Sequence, residues 1–363
     1  MTIFLLLAIY LIIVSFAIPE AEKKKKSLWA AFGFVIILCL RSPYCGLDVT
    51  GATGMIMSNS YGGVFLSMPN YSFGDIIRNP EYVGGHMEVG WLLLAKTISL
   101  FTHNLQVYLV IISILQFLPI AYVIRKYSSN VVLSYFVFAS LGFFVHYFSG
   151  IRQMLAVSII LLAFDQLYQK RYLWYTAIVL IASTIHSSAI LFLIVWPLSK
   201  IRLSFLTAII SIAIMVAIMP LYQAILSDVL ELFFESRYEG YLNAEGSATT
   251  MFLVYALFLL LSFLQKEDTP KIRLLRVLLL VGVAGQSLGV LGNSAITRIG
   301  YYFNIFLILL LPEIVMAFKR KNELDIIIAG AVILLCAFFV LTTNSENSSG
   351  VIPYEFFWNN PAK

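Results

Sequence analysis

The stretch that decides the fold runs from Leu105 to Ile124 and reads LQVYLVIISILQFLPIAYVI, with Arg125 and Lys126 directly after it. None of its residues is charged. A helix needs about 20 apolar residues to cross the roughly 30 Å hydrocarbon core of a bilayer. The stretch therefore predicts a transmembrane helix, and the two basic residues after it predict that this end faces the cytoplasm.

Similar apolar runs recur along the whole chain. Of its 363 residues, 60% are hydrophobic and 12% are charged, which is more apolar surface than a soluble domain of this length could bury. We therefore predict an all-α integral membrane protein in which residues 1–363 form a single polytopic membrane domain. About 12 transmembrane helices are predicted, over Thr2–Ile18, Leu28–Leu40, Leu105–Ile124, Val131–Phe148, Gln153–Tyr168, Tyr172–Ile185, Ser188–Leu198, Leu203–Met219, Thr250–Leu264, Val277–Ile296, Tyr301–Phe318 and Ile326–Leu341.

The basic residues fall mostly in alternate connections between these spans. The turns on one side would hold Lys23, Lys24, Lys25, Lys26, Arg125, Lys126, Lys170, Arg171, Lys200, Arg202, Lys266, Lys271, Arg273, Arg276, Lys319, Arg320 and Lys321. Because cytoplasmic loops are enriched in Lys and Arg, this bias predicts that these turns are cytoplasmic and that both termini are extracytoplasmic. The net charge of +5 is therefore a topology signal and does not indicate nucleic acid as a partner.

Four segments differ from the simple pattern of spans. Val89–Phe101 is short, carries Lys96, and would invert every later turn if it crossed, so we expect a re-entrant or interfacial helix. It follows an extracytoplasmic loop at residues 41–90, and residues 221–248 are predicted to form an extracytoplasmic amphipathic lid. Tyr172–His186 rises only about 22 Å, which predicts a hairpin that holds His186 below the outer headgroups.

The usual sequence signatures of nucleotide and metal sites are missing from the chain. It has no Walker A loop, no dinucleotide fingerprint, no HExxH motif and no convincing DxD pair. Its three cysteines have neither the number nor the spacing of a disulfide framework or a zinc site. We therefore expect no metal and no cofactor.

The polar residues capable of chemistry gather at the predicted outer side. They are Arg41, Asp48, Glu88, Arg152, His186, Arg298 and Tyr354. Ionisable groups near hydrocarbon usually face a protein interior or a water-filled cavity. The alternative for each of them is a simple anchor at the membrane interface.

Two arginines and one histidine are the candidate catalytic residues. Arg152 lies at the start of a predicted helix, where backbone N–H groups also point outward, so it is suited to clamp a phosphate. Arg298 lies at the same predicted depth and could supply a second fork to a diphosphate. His186 can take a proton near neutral pH and is the candidate general base, with Asp48 or Glu88 as alternatives.

These residues also carry a resemblance to a known family. The sequence resembles the EpsG-like branch of the Wzy-type polysaccharide polymerases, multispanning glycosyltransferases of GT-C-related type. The similar text is Arg41-Ser-Pro-Tyr-Cys-Gly46-Leu-Asp48, Glu88-Val-Gly90, Gly150-Ile-Arg152-Gln153-Met-Leu-Ala156, Ile185-His186-Ser-Ser-Ala189, and Arg298 before Tyr301. After Asp48, where a tyrosine is common in the family, this chain has Val-Thr-Gly-Ala-Thr-Gly.

The resemblance implies a polymerase of exopolysaccharide, capsule or O-antigen type. Such an enzyme joins polyprenyl-diphosphate-linked oligosaccharide repeat units at the outer face of the bacterial cytoplasmic membrane. Donor and acceptor would both be lipid-linked, the glycosyl transfer would be inverting, and chain-length regulator proteins are further partners that the resemblance allows. The residues expected to bind substrate are Arg41, Asp48, Glu88, Gln153 and Tyr354.

Two other functions remain open at the level of the sequence. An O-antigen-ligase-like transferase would move a finished glycan to a different acceptor from a similar outer site. A flippase or transporter of lipid-linked sugars is the alternative that is not an enzyme. A transporter is expected to carry ionisable residues at mid-membrane on paired broken helices, whereas this chain concentrates them at one side.

Overall fold

The computed structural model describes residues 2–50, 56–233, 247–290, 294–318 and 350–359, together with several residues between 327 and 337. Helices dominate these residues, and no β-strand occurs among them. An isolated antiparallel bridge joins Arg41 to Phe356. The prediction of an all-helical protein is therefore confirmed for the described part of the chain.

The chain forms two compact units, one from residues 1–190 and 325–363 and the other from residues 191–324. The described helices of the first unit are α1 (Thr2–Ala17), α2 (Lys23–Leu40), α3 (Leu47–Thr50), α4 (Tyr61–Ser67), α5 (Phe73–Arg78), α6 (Pro80–Gly84), α7 (Val89–Ser99), α8 (Leu105–Tyr127), α9 (Val131–Ser140), α10 (Phe143–Ser149), α11 (Ile151–Tyr168) and α12 (Tyr172–Ile185). Those of the second unit are α13 (Val195–Leu198), α14 (Phe205–Phe233), α15 (Ser247–Leu261), α16 (Pro270–Gly289), α17 (Ser294–Ile299), α18 (Tyr301–Asn304) and α19 (Leu307–Val315). Short 3₁₀ segments cover Glu20–Glu22, Met68–Asn70, Ser187–Ile194 and Ser262–Leu264.

Within the described residues, α8, α11 and α16 are each long and apolar enough to cross a membrane. Three further pairs of helices pass the same test together but are bent: Ile3–Ala17 with Glu20–Leu40 by 114°, α9 with α10 by 56°, and Thr297–Asn304 with α19 by 52°. The described part of the chain thus has three clear spans, or up to six if each bent pair is one span. These apolar helices indicate an integral membrane protein, and the number of about 12 spans stays a prediction.

Several predicted spans coincide closely with observed helices. The predicted span Tyr172–Ile185 has the same bounds as α12, and Gln153–Tyr168 needs only two more residues at its start to become α11. Leu105–Ile124 is extended at its end by the two basic residues and Tyr127 to form α8. The last predicted span, Ile326–Leu341, lies largely outside the described residues.

Two predicted spans have a different local structure. The predicted span Ser188–Leu198 is helical, but Ser187–Ile194 is a 3₁₀ helix and only Val195–Leu198 is α-helical, so its crossing of the membrane stays a prediction. A 3₁₀ helix rises about 2.0 Å per residue, so the same apolar run reaches further than an α-helix would. The predicted span Val131–Phe148 is divided at Gly142, whose φ of 78° is left-handed and ends α9.

The external segments are described only in part. The helix α7 has 11 residues and so a length of roughly 16 Å, which is too short to cross a bilayer. Its re-entrant or interfacial position stays a prediction. The helix α14 continues into the predicted lid at residues 221–248 and ends at Phe233, while residues 234–246 lie outside the described residues. The lid therefore also stays a prediction.

An aromatic core holds α2, α8, α9 and α10 together in the first unit. The ring of Phe34 is fully buried and lies 4.8 to 5.5 Å from the ring centres of Phe117, Tyr135, Phe138 and Phe144. Each such pair contributes about 0.5–1.5 kcal/mol beyond the burial of its surface. This packing joins the middle of α2 to the start of α10, and Arg41 and Arg152 follow shortly after these two helices end.

Candidate active site

His186 connects the end of α12 to a 3₁₀ segment. The helix α12 ends at Ile185, His186 is extended with φ −151° and ψ 114°, and the 3₁₀ segment begins at Ser187. The imidazole side chain is 26% exposed, so one part of it is open to solvent. The predicted hairpin, and the depth of His186 below the outer headgroups, stay predictions.

Arg152 lies in the first turn of α11 and is held by three groups. Its Nε donates to the Tyr61 hydroxyl at 2.8 Å, its Nη1 donates to the His86 carbonyl at 3.4 Å, and Nη1 also pairs with Glu88 Oε2. The guanidinium carbon lies 5.0 Å from the centre of the Tyr61 ring, which is a cation–π distance. Nη2 makes no hydrogen bond among the described residues, and it is therefore the edge that an anion can approach.

Glu88 joins Arg152 to His186. While Oε2 pairs with Arg152, Oε1 accepts from the Ser187 N–H at 3.0 Å and lies 3.2 Å from His186 Nδ1. Burial alone would raise the pKa of Glu88, but contact with His186, Arg152 and the Ser187 N–H lowers it to about 2. Glu88 is therefore ionised at neutral pH and too weakly basic to serve well as the general base itself.

Two glycines allow the loops of the site to approach the helices closely. A Cβ atom at Gly90 would lie 2.2 Å from Thr184 Oγ1, so only glycine lets the start of α7 pack against the end of α12. This packing brings Glu88 next to His186. A Cβ at Gly46, where φ is +98°, would lie 2.3 Å from the Phe148 carbonyl oxygen. Both glycines belong to sequence motifs that the resemblance singled out.

Asp48 and Arg41 bond to the backbone where α10 ends and α11 begins. Asp48 Oδ2 accepts from the Ile151 N–H at 3.0 Å and so occupies one of the backbone donors at this helix N-terminus. Arg41 is fully buried and donates from Nη1 to the carbonyls of Tyr147 and Phe148 at 3.2 and 3.1 Å. These contacts tie both residues to the backbone around the site.

The remaining predicted residues lie in different places. Gln153 is buried in α11, next to Arg152. Tyr354 is half-buried, donates its hydroxyl to the Ile37 carbonyl at 2.8 Å, and packs its ring against Phe4 and Phe148. Arg298 lies in the second unit, on α17, with an exposed side chain. The structure thus brings Glu88 into contact with both Arg152 and His186, and the roles of all the predicted site residues stay predictions.

Tyr61 is the site residue that the sequence did not reveal. It begins α4 after the Ser60 cap, and its ring lies 5.5 Å from that of Trp91. Burial and the nearby Asp48 carboxylate raise the pKa of Tyr61 to about 12, so its hydroxyl stays protonated. A single tyrosine in a Gly- and Ser-rich loop has no distinguishing pattern. Its contact with Arg152 becomes visible only in the fold.

Among the described residues, no group of three or more His, Cys, Asp and Glu side chains could hold a metal ion. The candidate site consists instead of one arginine, one carboxylate, one imidazole and one phenol. Such a set can hold an anion and accept a proton.

The long apolar helices indicate a multispanning integral membrane protein, and the polar cluster lies where α7 and α11 begin and α12 ends. The family model described as the EpsG family matches residues 58–356. The chain therefore belongs to the EpsG family, as its motifs suggest. At the level of the family, membership indicates a glycosyltransferase-like polysaccharide polymerase. Neither a curated protein nor a solved structure matches the chain.

Proposed function

We propose that the protein is a polymerase that joins polyprenyl-diphosphate-linked oligosaccharide repeat units by inverting glycosyl transfer. The observation that carries the proposal is the chain of contacts from Arg152 through Glu88 to His186. It combines an anion-binding group and a proton acceptor at one site. These are the two groups that transfer from a diphosphate-linked sugar requires.

The reaction needs one bond to form while another breaks. The acceptor hydroxyl oxygen attacks the anomeric carbon of the donor sugar, and the bond from that carbon to the diphosphate oxygen breaks. The diphosphate leaves with the electron pair, and the hydroxyl proton passes to Nε2 of His186. Glu88, next to Nδ1, would hold the imidazole in the tautomer that leaves Nε2 able to accept a proton.

Arg152 would stabilise the charge that develops on the leaving diphosphate. A guanidinium binds two phosphate oxygens at once through its planar fork, and a site of low polarity strengthens the interaction. Tyr61 holds this guanidinium from the side of Nε. We further propose Arg298 as a second clamp on the diphosphate, and Arg41, Asp48, Gln153 and Tyr354 as residues that shape the substrate-binding region.

The proposal includes a location and an architecture. We place the site at the outer face of the bacterial cytoplasmic membrane, in a GT-C-like arrangement of about 12 spans with both termini extracytoplasmic and no metal requirement. The charge bias of the connections supports this orientation. A reporter enzyme inserted between Lys266 and Lys271 should behave as cytoplasmic, and one fused after Lys363 as extracytoplasmic. The opposite pattern would contradict the orientation.

The direct test is His186→Gln, because glutamine can keep part of the hydrogen bonding but cannot take up the proton. A positioned general base contributes about 10²–10⁴-fold in rate. In cells that carry the variant, long glycan should therefore disappear and single lipid-linked repeat units should accumulate, while the abundance of the membrane protein stays normal. The matched control is His103→Gln, at an exposed histidine between α7 and α8.

Glycan length separates the proposal from its closest rival. A polymerase defect shortens the glycan to single repeat units, whereas a defect in a ligase-like transferase leaves long glycan that stays on its carrier lipid. Long lipid-linked glycan in His186→Gln cells would contradict the proposed polymerase. Normal polymer from a well-inserted His186→Gln protein would remove His186 from the role of base.

A further inference from the structure

One carboxylate, Glu88, serves both the proposed anion clamp and the proposed base. Its Oε2 is paired with Arg152. Its Oε1 accepts a hydrogen bond from the Ser187 N–H at 3.0 Å and lies 3.2 Å from His186 Nδ1. The side chains of Glu88 and Arg152 are only 18% and 16% exposed, so solvent screens this arrangement little. A change at one partner of Glu88 must therefore affect the other.

The contact between Glu88 and His186 is incomplete. Although Nδ1 lies at an ion-pair distance from Oε1, the ring is turned so that Nδ1, a buried atom, has no hydrogen-bond partner among the described residues. Buried polar groups in folded proteins are normally hydrogen-bonded. The imidazole thus lies beside the carboxylate that could fix its tautomer, but that carboxylate is directed towards Arg152 and Ser187.

We infer that binding of a diphosphate at Arg152 releases Glu88 to His186, so that Glu88 is a positioning residue that couples donor binding to activation of the base. A diphosphate that takes both Nη1 and Nη2 of Arg152 in a fork displaces Oε2 of Glu88 from Nη1. Tyr61 keeps its bond to Nε, so the guanidinium stays in place during the exchange. This inference rests on the proposed function.

The released carboxylate has a short path to its second partner. The Ser187 N–H holds Oε1 beside the imidazole, and the close packing of Gly90 on Thr184 keeps the backbone of Glu88 against the end of α12. A small rotation of the carboxylate then completes a hydrogen bond from His186 Nδ1–H. Fixing the proton on Nδ1 leaves Nε2 as the acceptor for the attacking hydroxyl.

This competition predicts opposite effects on binding and on turnover in Glu88→Gln. Because the amide no longer competes for Arg152, the full-length variant in lipid nanodiscs should bind farnesyl diphosphate about 3- to 10-fold more tightly than the wild type. Because the amide cannot orient the imidazole as a carboxylate does, kcat for polymerisation should fall by about 10²–10³-fold. Glu81→Gln, at an exposed carboxylate of the same loop, is the matched control and should change neither quantity.

A merely structural Glu88 gives a different result. If Glu88 only holds Arg152 in place, Glu88→Gln weakens the binding of farnesyl diphosphate together with kcat, and this outcome overturns the inference. Arg152→Gln should abolish diphosphate binding in either case. If the wild type itself shows no Arg152-dependent binding and His186→Gln still polymerises, the proposed function fails, and this result is distinct from a failure of the coupling alone.

A second measurement uses the wild type and does not depend on how the variants fold. The chain has only four histidines, so ¹⁵N-histidine labelling gives few signals, and His186→Gln assigns the one from His186. Addition of farnesyl diphosphate should shift the His186 imidazole towards the tautomer with the proton on Nδ1, whereas farnesol, which lacks the diphosphate, should not. An unchanged tautomer at saturating farnesyl diphosphate overturns the inference.

Discussion

Each end of α11 carries a polar cluster in which one carboxylate contacts a basic residue, but the two clusters differ in how fully their polar atoms are hydrogen-bonded. At the C-terminal end, Asp165 is almost fully buried and accepts from Tyr122, Lys126, Tyr127, Gln169 and Gln166. At the N-terminal end, the Glu88 side chain is more exposed than that of Asp165, and a buried imidazole nitrogen of His186 lacks a hydrogen bond among the described residues. A polar network with every member satisfied stabilises one structure, whereas an incomplete one can exchange partners. We therefore expect the C-terminal cluster to serve stability, and we propose the N-terminal cluster as the place of the chemistry.

Replacement of Arg152 by lysine, at the N-terminal end of α11, should have the largest effect on polymer formation. Arg152→Lys keeps the charge but lacks the planar guanidinium, which pairs with Glu88 and Tyr61 in the structure and can bind two phosphate oxygens as a fork. We expect polymer formation to fall by at least about 10²-fold, with normal abundance in the membrane. Arg78→Lys, at an exposed arginine, should leave polymer unchanged. Full activity of Arg152→Lys would reduce Arg152 to an interfacial anchor.

Acid should act on the stability of the N-terminal cluster. The pKa of Glu88 is lowered from 4.5 to about 2, so the native state favours the ionised carboxylate more than the unfolded state does. The ionised Glu88 therefore stabilises the folded state above about pH 5. This stabilisation, up to about 3 kcal/mol in the free energy of unfolding, is lost as the pH falls from about 5 to about 2. The difference in Tm between the wild type and Glu88→Gln should therefore narrow from pH 6 to pH 3. A constant difference would show that the charge of Glu88 contributes nothing to stability.

A substitution in the C-terminal cluster of α11 should lower the stability of the protein and leave its polymerising activity unchanged. Asp165→Asn removes the charge that Lys126 faces and leaves the buried Tyr127 hydroxyl and the other donors with a weaker acceptor. Because Lys126 is 37% exposed, we expect a loss of about 1–3 kcal/mol, below that of a fully buried pair. Thermal unfolding in detergent should detect the loss, and polymer formed per folded molecule should stay near normal. A loss of turnover at full stability would contradict the division between the two ends.

Local features of the helices were predictable from the sequence. The apolar run from Tyr172 to Ile185 is bounded by Arg171 and His186, and the helix has these bounds because both signals are local. The break at Gly142 was not predicted, because a glycine in an apolar run does not by itself end a helix: Gly33 lies inside α2 and Gly282 inside α16. The 3₁₀ form of Ser187–Ile194 was not, because its composition equally suits an α-helix.

For the candidate site, the sequence predicted which residues lie on the outer side of the membrane but not which of their side chains are in contact. The charge bias grouped Glu88, Arg152 and His186 at the outer ends of the spans, but topology does not say which side chains touch. That depends on tertiary packing, such as the approach of Gly90 to Thr184. For the same reason Glu88 was expected as an alternative base, whereas its contacts with Arg152 and Ser187 instead indicate a role in positioning.

The substitution with the smallest expected effect on turnover removes one contact of the N-terminal cluster of α11 and leaves the others, so it tests how much a single contact there contributes. Tyr61→Phe deletes the hydroxyl that accepts from Arg152 Nε and keeps the ring beneath the guanidinium. The loss of one such hydrogen bond costs about 1 kcal/mol, so turnover should fall by about 3- to 10-fold. Tyr61→Leu, which also removes the cation–π contact, should lose more, and Tyr82→Phe at an exposed tyrosine should lose nothing. Equal turnover of Tyr61→Phe, Tyr61→Leu and the wild type would mean that Arg152 needs no support from Tyr61 to hold its position.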